Sequence, residues 1–290
     1  MITCVGEALI VLTAERGPLE DAQTFTKGPA GAELNVATTV AALGVPTAVV
    51  TRMGDDGFGR YLTGHLADCG VDTSAIGIDT NRPTGMYVKE RGAGSDHPHD
   101  LPAAASRMLY YRRDSAGAAL SIEDFNTPAA VELLGRTRLL HVTGITPALS
   151  DSAREAVIAL MSGPVRCCFD LNYRPRLWSD PEVAAQTLAA CVRASDIVLM
   201  GLDEASEVFG AATPEQIREM FPEPEYLIIK NDAHQVTGFH RSARVDVPAL
   251  TVDVVEKIGA GDAFASGFLV GISRGEPIDR ARRPGHICAA

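Results

Sequence analysis

Positive charge is in short supply: 26 Lys and Arg stand against 37 Asp and Glu, a formal net charge of −11. A chain so acidic has no basic field to hold nucleic acid or an anionic membrane, so an anionic substrate must be caught by a few local Arg and Lys side chains. Cysteine is sparse and unpatterned. Cys4, Cys69, Cys167, Cys168, Cys191 and Cys288 form no C-x-x-C and no Cys/His spacing of a structural zinc site, which leaves free thiols and a reducing, cytoplasmic setting as the expectation. No run of about 18 uncharged apolar residues exists to span a membrane. The apolar segment Met1–Leu12 is broken by Glu7 and carries no basic leader, so it reads as a buried strand rather than a signal peptide. No internal repeat is present.

What the chain does have is an ordinary globular composition, with 46% hydrophobic and 22% charged residues, enough to bury a sizeable core. Short apolar runs alternate with stretches of helical length, the pattern of βαβ units and a mostly parallel sheet. Strands are expected at Ile2–Val11, Thr47–Arg52, Arg138–Thr143, Val165–Asp170, Asp196–Met200 and Tyr226–Lys230. Helices are expected at Ala32–Leu43, Gly59–Asp68, Ile122–Leu134, Asp151–Met161, Pro181–Arg193 and Asp203–Phe209, several opened by Asp, Ser or Pro. The fold class is therefore α/β, doubly wound. One region departs from the alternation: Thr84–Glu90 and Arg107–Arg113 read as an antiparallel flap joined by the aperiodic segment Gly92–Ser106. A water-excluding lid and a decorated surface hairpin both fit that pattern.

The segment Lys257-Ile258-Gly259-Ala260-Gly261-Asp262-Ala263-Phe264 carries the strongest chemical signal. Its glycines let the backbone turn with positive φ and approach a ligand, and the helix that follows directs free N–H groups and a positive dipole end at the same point. That is an anion hole. A carboxylate there, Asp262, suits the role of general base for an attacking hydroxyl, with a plain helix cap as the alternative.

Gly259-Ala260-Gly261-Asp262-Ala263-Phe264 resembles the C-terminal signature of the ribokinase, or PfkB-type, carbohydrate kinases. Gly31-Ala32-Glu33-Leu34-Asn35-Val36-Ala37, Ala42-Leu43-Gly44 and Arg52-Met53-Gly54-Asp55-Asp56-Gly57-Phe58-Gly59 resemble the N-terminal one. The resemblance runs from about Gly6 to Gly275. It implies a single ribokinase-like domain over 1–290, a Rossmann-type mostly parallel sheet flanked by helices with a small β-sheet lid from about 12–27 and 84–113. It also implies Asp262 as the base, Gly259, Ala260 and Gly261 as the anion hole, and a sugar held near Gly31, Ala32 and Asn35. ATP and Mg²⁺ follow as cofactors, with a monovalent cation as a further candidate.

Finer resemblance to bacterial 2-keto-3-deoxygluconate kinases rests on Thr84-Gly85-Met86-Tyr87, Tyr110-Tyr111-Arg112, Leu140-His141-Val142-Thr143-Gly144-Ile145 and Asp170-Leu171-Asn172-Tyr173-Arg174. It implies phosphorylation of the 6-hydroxyl of a six-carbon keto acid. The acid's carboxylate would be read by Arg112 and Arg174, whose planar forks match it, with Tyr87 and Tyr110 beside it. Lys230 and Asn172 are candidates for the nucleotide, and Asp170 and Glu204 for Mg²⁺ through water. Ordinary surface solvation is the alternative for each arginine, and flap packing for the tyrosines.

The chain also departs from the family. Gly201 stands where an asparagine is expected in an N-x-x-E element ending at Glu204, Asp232-Ala233-His234-Gln235 replaces a G-x-x-G turn, and the sequence stops at Ala290. An altered nucleotide side is the expectation. A fructokinase or other PfkB-type sugar kinase, and a sugar- or nucleotide-binding protein with weak catalysis, stay open as alternatives. His97 and His99 on the flap loop lack further metal ligands in sequence and read as solvated. The partners expected are a sugar or keto sugar acid and ATP, with no nucleic acid and no membrane. Pairing of exposed flap strands gives a homodimer or higher homo-oligomer through the lid.

Overall fold

A computed structural model describes residues 1–231, 235–248 and 259–276. The strands in chain order are β1 (Ile2–Val5), β2 (Leu9–Arg16), β3 (Phe25–Ala30), β4 (Thr47–Gly54), β5 (Asp72–Asp79), β6 (Met86–Arg91) and β7 (Ser106–Tyr111). They continue with β8 (Leu139–Thr143), β9 (Cys167–Asp170), β10 (Ile197–Gly201), β11 (Tyr226–Asn231), β12 (Gln235–His240) and β13 (Ala243–Pro248). The helices are α1 (Ala32–Ala42), α2 (Gly57–Asp68), α3 (Ile122–Phe125), α4 (Pro128–Arg136), α5 (Asp151–Met161), α6 (Pro181–Arg193), α7 (Leu202–Phe209), α8 (Pro214–Met220) and α9 (Ala260–Ser273).

Among the described residues, nine strands form one sheet in the order β13-β12-β11-β10-β9-β8-β1-β4-β5. The run from β11 to β5 is parallel, and β12 and β13 extend it antiparallel. Alternate side chains serve two cores, as a sheet covered on both faces requires. Cys4, Cys168 and Leu199 pack with Leu34 and Val40 of α1, Leu62 of α2 and Phe268 of α9. Val5, Phe169 and Met200 face the other way, onto Leu133 of α4, Val157 of α5 and Leu188 of α6. Because β1 lies between β4 and β8, the chain winds outward in both directions from it, which opens a crevice at the carboxyl ends of β1 and β8.

The second sheet has the order β3-β2-β6-β7, with β2 parallel to β6 and β7 antiparallel to it. Two sequence expectations are corrected here. Ile2–Val11 is not one strand: the chain leaves the large sheet at Gly6 and enters the small one at Leu9, and the pivot residues Gly6 and Glu7 sit on the crevice. Ile122–Leu134 is two helices, since Asp124 closes a capping box on Ser121 and Thr127 caps a fresh start with Pro128 in its first turn. Strands β5, β12 and β13 and helix α8 were not anticipated. Cys4, Cys69, Cys167, Cys168 and Cys191 are free thiols, and no described helix is long and apolar enough to cross a membrane.

Candidate active site

The parallel strands deliver their last residues to one edge. Thr143 and Asp170 are register partners at the ends of β8 and β9, and Gly201 and Lys230 are partners on β10 and β11. Facing them is the start of α9, where Gly259 adopts φ 86°, a left-handed turn that suits glycine, and Asp262 sits in the first helical turn. Ala260 and Gly261 complete the turn. A Cβ built on Gly261 would lie 3.6 Å from Lys230 Nζ, so the lysine ammonium stands beside the free N–H groups of the helix start.

Asp262 is the electrostatic centre. Asn35 Nδ2, from α1, donates to its Oδ2 over 2.8 Å. Burial raises its carboxyl from 3.8 to about 7. Asn35 and Lys230 oppose that rise, while Asp170 and Glu33 add to it. A carboxyl poised near neutrality is what proton abstraction near pH 7 asks for.

Lys230 Nζ lies 3.5 Å from Asp170 Oδ1. Burial works against its charge, but Asp170, Glu204 and Asp262 outweigh burial and hold it above its ordinary value. Burial likewise lifts Glu204. Its Oε2 accepts from the Gly201 N–H at 2.9 Å and its Oε1 pairs with Arg174 at 3.6 Å, so both oxygens are engaged within the chain. Asp170 and Glu204 are hard oxygen donors of the type magnesium takes. With these partners already in place, they fit a hydrated ion reached through water rather than a bare one. Asn172 is buried beside them and tolerates φ 37° as asparagine does.

On the other side of β1 lies a buried polar cluster built from the pivot. Glu7 Oε2 forms an ion pair with Arg112 Nη1 at 3.2 Å. The Arg112 guanidinium also lies 4.9 Å from the Tyr110 ring centre, and Tyr87 and Tyr110 are cross-strand partners with ring centres 5.1 Å apart. Gly31 caps the cluster with φ 128°, and a Cβ there would come within 2.5 Å of the Glu7 carbonyl oxygen. Ala32 begins α1, and Glu33 Oε1 accepts from Thr143 N–H, Thr143 Oγ1 and Thr146 Oγ1 at 3.1, 2.8 and 2.9 Å. This fastens α1, and with it Asn35, to the end of β8.

Of the residues singled out in the sequence, the structure brings Asp262, Gly259, Ala260, Gly261, Asn35, Lys230, Asp170, Asn172, Glu204 and Arg174 along one edge, and Gly31, Ala32, Tyr87, Tyr110 and Arg112 around β1 and the small sheet. Glu7 and Glu33 were not among the residues expected from sequence. The available signal was a lone carboxylate inside each of two apolar runs, since an acid there is either exposed or satisfied by partners. The turn at 232–234 and the C-terminal residues 277–290, singled out as departures, lie outside the described residues.

Comparison with known proteins finds relatives along the whole chain. Residues 1–290 match the family described as "pfkB family carbohydrate kinase". A 2-dehydro-3-deoxygluconokinase of Thermoproteus tenax is 33% identical over 272 residues, 92% of this chain and 80% of that protein. A 5-dehydro-2-deoxygluconokinase of Bacillus licheniformis is 28% identical over 300 residues, covering 100% of this chain and 88% of its own. Among solved structures, a PfkB protein from Polaromonas sp. JS666 superposes with a TM-score of 0.88 at 29% identity, covering 100% of this chain and 94% of that one. A sugar kinase from Pyrococcus horikoshii in complex with ATP gives 0.84 at 27% identity, covering 100% and 91%. The fold is ribokinase-like.

Proposed function

The chain belongs to the pfkB family of carbohydrate kinases, and on that premise we propose that it transfers the γ-phosphoryl group of ATP to the 6-hydroxyl of 2-keto-3-deoxygluconate. The observation that carries the chemistry is Asp262, its carboxyl near 7, held by Asn35 at the start of α9 and beside Lys230. In this reading Asp262 accepts the proton of the 6-hydroxyl. The N–H groups of the turn at Gly259, Ala260 and Gly261 meet the phosphoryl oxygens, and Lys230 neutralises the charge that spreads over them. Positioning and electrostatics carry most of such a transfer, because it asks little covalent work of the protein.

Asp170 and Glu204 would hold Mg²⁺ through water, which supplies charge shielding on the nucleotide phosphates, and Asn172 lines the same edge. Gly31, Ala32 and Asn35 hold the sugar, and Tyr87, Tyr110, Arg112 and Arg174 surround its acidic end. The support for an acidic acceptor is Arg112, a cation 8% exposed whose Nε has no acceptor among the described residues. An unpaired buried donor calls for a hydrogen-bond acceptor, and a substrate carboxylate would supply one. The small sheet serves as the lid over this end. Tyr110 and Tyr111, 51% and 60% exposed on its edge strand, offer the surface for pairing two copies.

The test is an ADP-release assay with ATP and Mg²⁺ that offers 2-keto-3-deoxygluconate, 5-keto-2-deoxygluconate, fructose, ribose and no acceptor. Preference for the first supports the whole reading. Preference for fructose keeps Asp262 as base and removes the arginine roles, and turnover with none of them points to an acceptor outside this set or to an impaired nucleotide side.

A further inference from the structure

Glu7 and Arg112 form an unusual pair for one so deeply placed. Their side chains are 2% and 9% exposed, yet the 3.2 Å contact is an ion pair without hydrogen-bond alignment. Glu7 Oε2 and Arg112 Nε both lack hydrogen-bond partners among the described residues. Two buried charges so loosely mated recover little of their desolvation cost. The arginine keeps an unused donor that a better-aligned carboxylate would take, and the glutamate stands to be left without its cation.

Resting on the reading that Arg112 receives the carboxylate of the acceptor, we propose that Glu7 is its positioning partner. Glu7 holds the guanidinium while the site is empty, and gives up its negative charge by taking a proton from solvent when the acceptor's carboxylate docks on the same arginine. Acceptor binding is thereby coupled to proton uptake. A neutral sugar has no such requirement.

On balance the surroundings of Glu7 favour the exchange, with Ser115 the one neighbour besides Arg112 that stabilises its charge. Glu33 of α1 is a second buried acid close enough to raise the Glu7 carboxyl, and Ser115, ahead of α3, donates to Glu7 Oε1 at 3.4 Å. From β4, Thr51 offers a hydroxyl without a partner, and Arg52 is drawn off toward Asp124 and Asp79 at 3.4 and 3.9 Å. From β8, His141 is held neutral by burial, at about 4, and the Cys4 thiol of β1 is kept protonated by burial. Arg112 is thus the only cation that directly faces Glu7 among the described residues. Burial raises the Glu7 carboxyl to about 7 even with Arg112 in place. A competing carboxylate on that arginine shifts it further up, so the proton is taken near neutral pH.

The test is calorimetric titration of the wild-type enzyme with 2-keto-3-deoxygluconate at a pH slightly above 7, in two buffers of different ionisation enthalpy. Fructose serves as the neutral ligand. Because a carboxyl near 7 is already partly protonated at this pH, uptake of roughly half a proton or more is expected for the keto acid and none for fructose. Glu7→Gln should still bind the keto acid but with uptake abolished. Arg112→Ala separates the two layers of the argument. If it binds the keto acid as tightly as wild type, the carboxylate reading fails and the proposal goes with it. If Arg112→Ala loses affinity while wild type takes up no proton, or while Glu7→Gln takes up the same amount, the proposal alone is overturned. Should Glu7→Gln fail to fold, the wild-type contrast between keto acid and fructose decides the matter by itself.

Discussion

Asn35 and Asp262 are 227 positions apart in the chain and are joined by a single 2.8 Å hydrogen bond, Nδ2 to Oδ2. The bond links the first helix of the large sheet to its last described one, and it favours the charged form of the carboxylate that burial disfavours. Asn35 therefore acts on the acceptor hydroxyl through its effect on the base, besides lying where the sugar is held.

Turnover should rise with pH through about 7, because Asp262 must be ionised to accept a proton. Asn35→Ala removes a donor that lowers the Asp262 value, so the rising limb of the kcat profile should move to higher pH. Profiles of the two proteins on one buffer series check this. An unmoved limb would mean that Asn35 serves the sugar alone.

Asp262→Asn should lower kcat by about 10²- to 10⁴-fold, the range ascribed to a positioned acid or base. It should also stabilise the fold. A carboxyl raised from 3.8 to about 7 lends the native state a protonation advantage that is lost as pH rises across that interval, so at pH 8 the ionised group is a net cost. Removing it is worth on the order of 1 kcal/mol, given that Asp262 is only partly buried. Thermal unfolding at pH 8 and pH 5 should show the gain at the higher pH and a smaller one at the lower.

Lys230→Met leaves Asp170, Glu204 and Asp262 without the ammonium they share. KM for ATP should rise roughly tenfold or more, the scale of one charge-assisted contact. The pH limb should shift upward as well, since Lys230 lowers the Asp262 value. Steady-state kinetics across pH would show both effects together. A change in KM without the limb shift would place Lys230 on the nucleotide only.

Gly31→Ala tests the ceiling of the acidic cluster. The residue has φ 128°, and an added Cβ would meet the Glu7 carbonyl oxygen at 2.5 Å. A loss of about 1–3 kcal/mol is expected from denaturant unfolding, together with weaker acceptor binding.

The parts of this account legible in the sequence are those written in contiguous residues. The turn at Gly259–Gly261 with Asp262, the βαβ alternation and the flap strands each announce themselves through local chemistry. Strand identity at Ile2–Val11 was not legible, because an unbroken apolar run looks the same whether it stays in one sheet or changes sheets at Gly6. Proline 128 and the capping box at Ser121 did mark the break between α3 and α4, and the apolar periodicity masked it. The roles of Glu7 and Glu33 depend on partners more than 100 positions away, at Arg112, Ser115, Thr143 and Thr146. No local pattern encodes such pairings, although a carboxylate embedded in an apolar run is a cue that one exists.

The central claim is most directly tested by ³¹P NMR of phosphoryl transfer from ATP to 2-keto-3-deoxygluconate, with wild type and Asp262→Asn side by side. A 6-phosphate ester and ADP should accumulate with the wild-type protein and almost none with Asp262→Asn at equal folded concentration. Equal accumulation with both proteins would remove Asp262 as the base, and ester at another hydroxyl would contradict the placement of the acceptor.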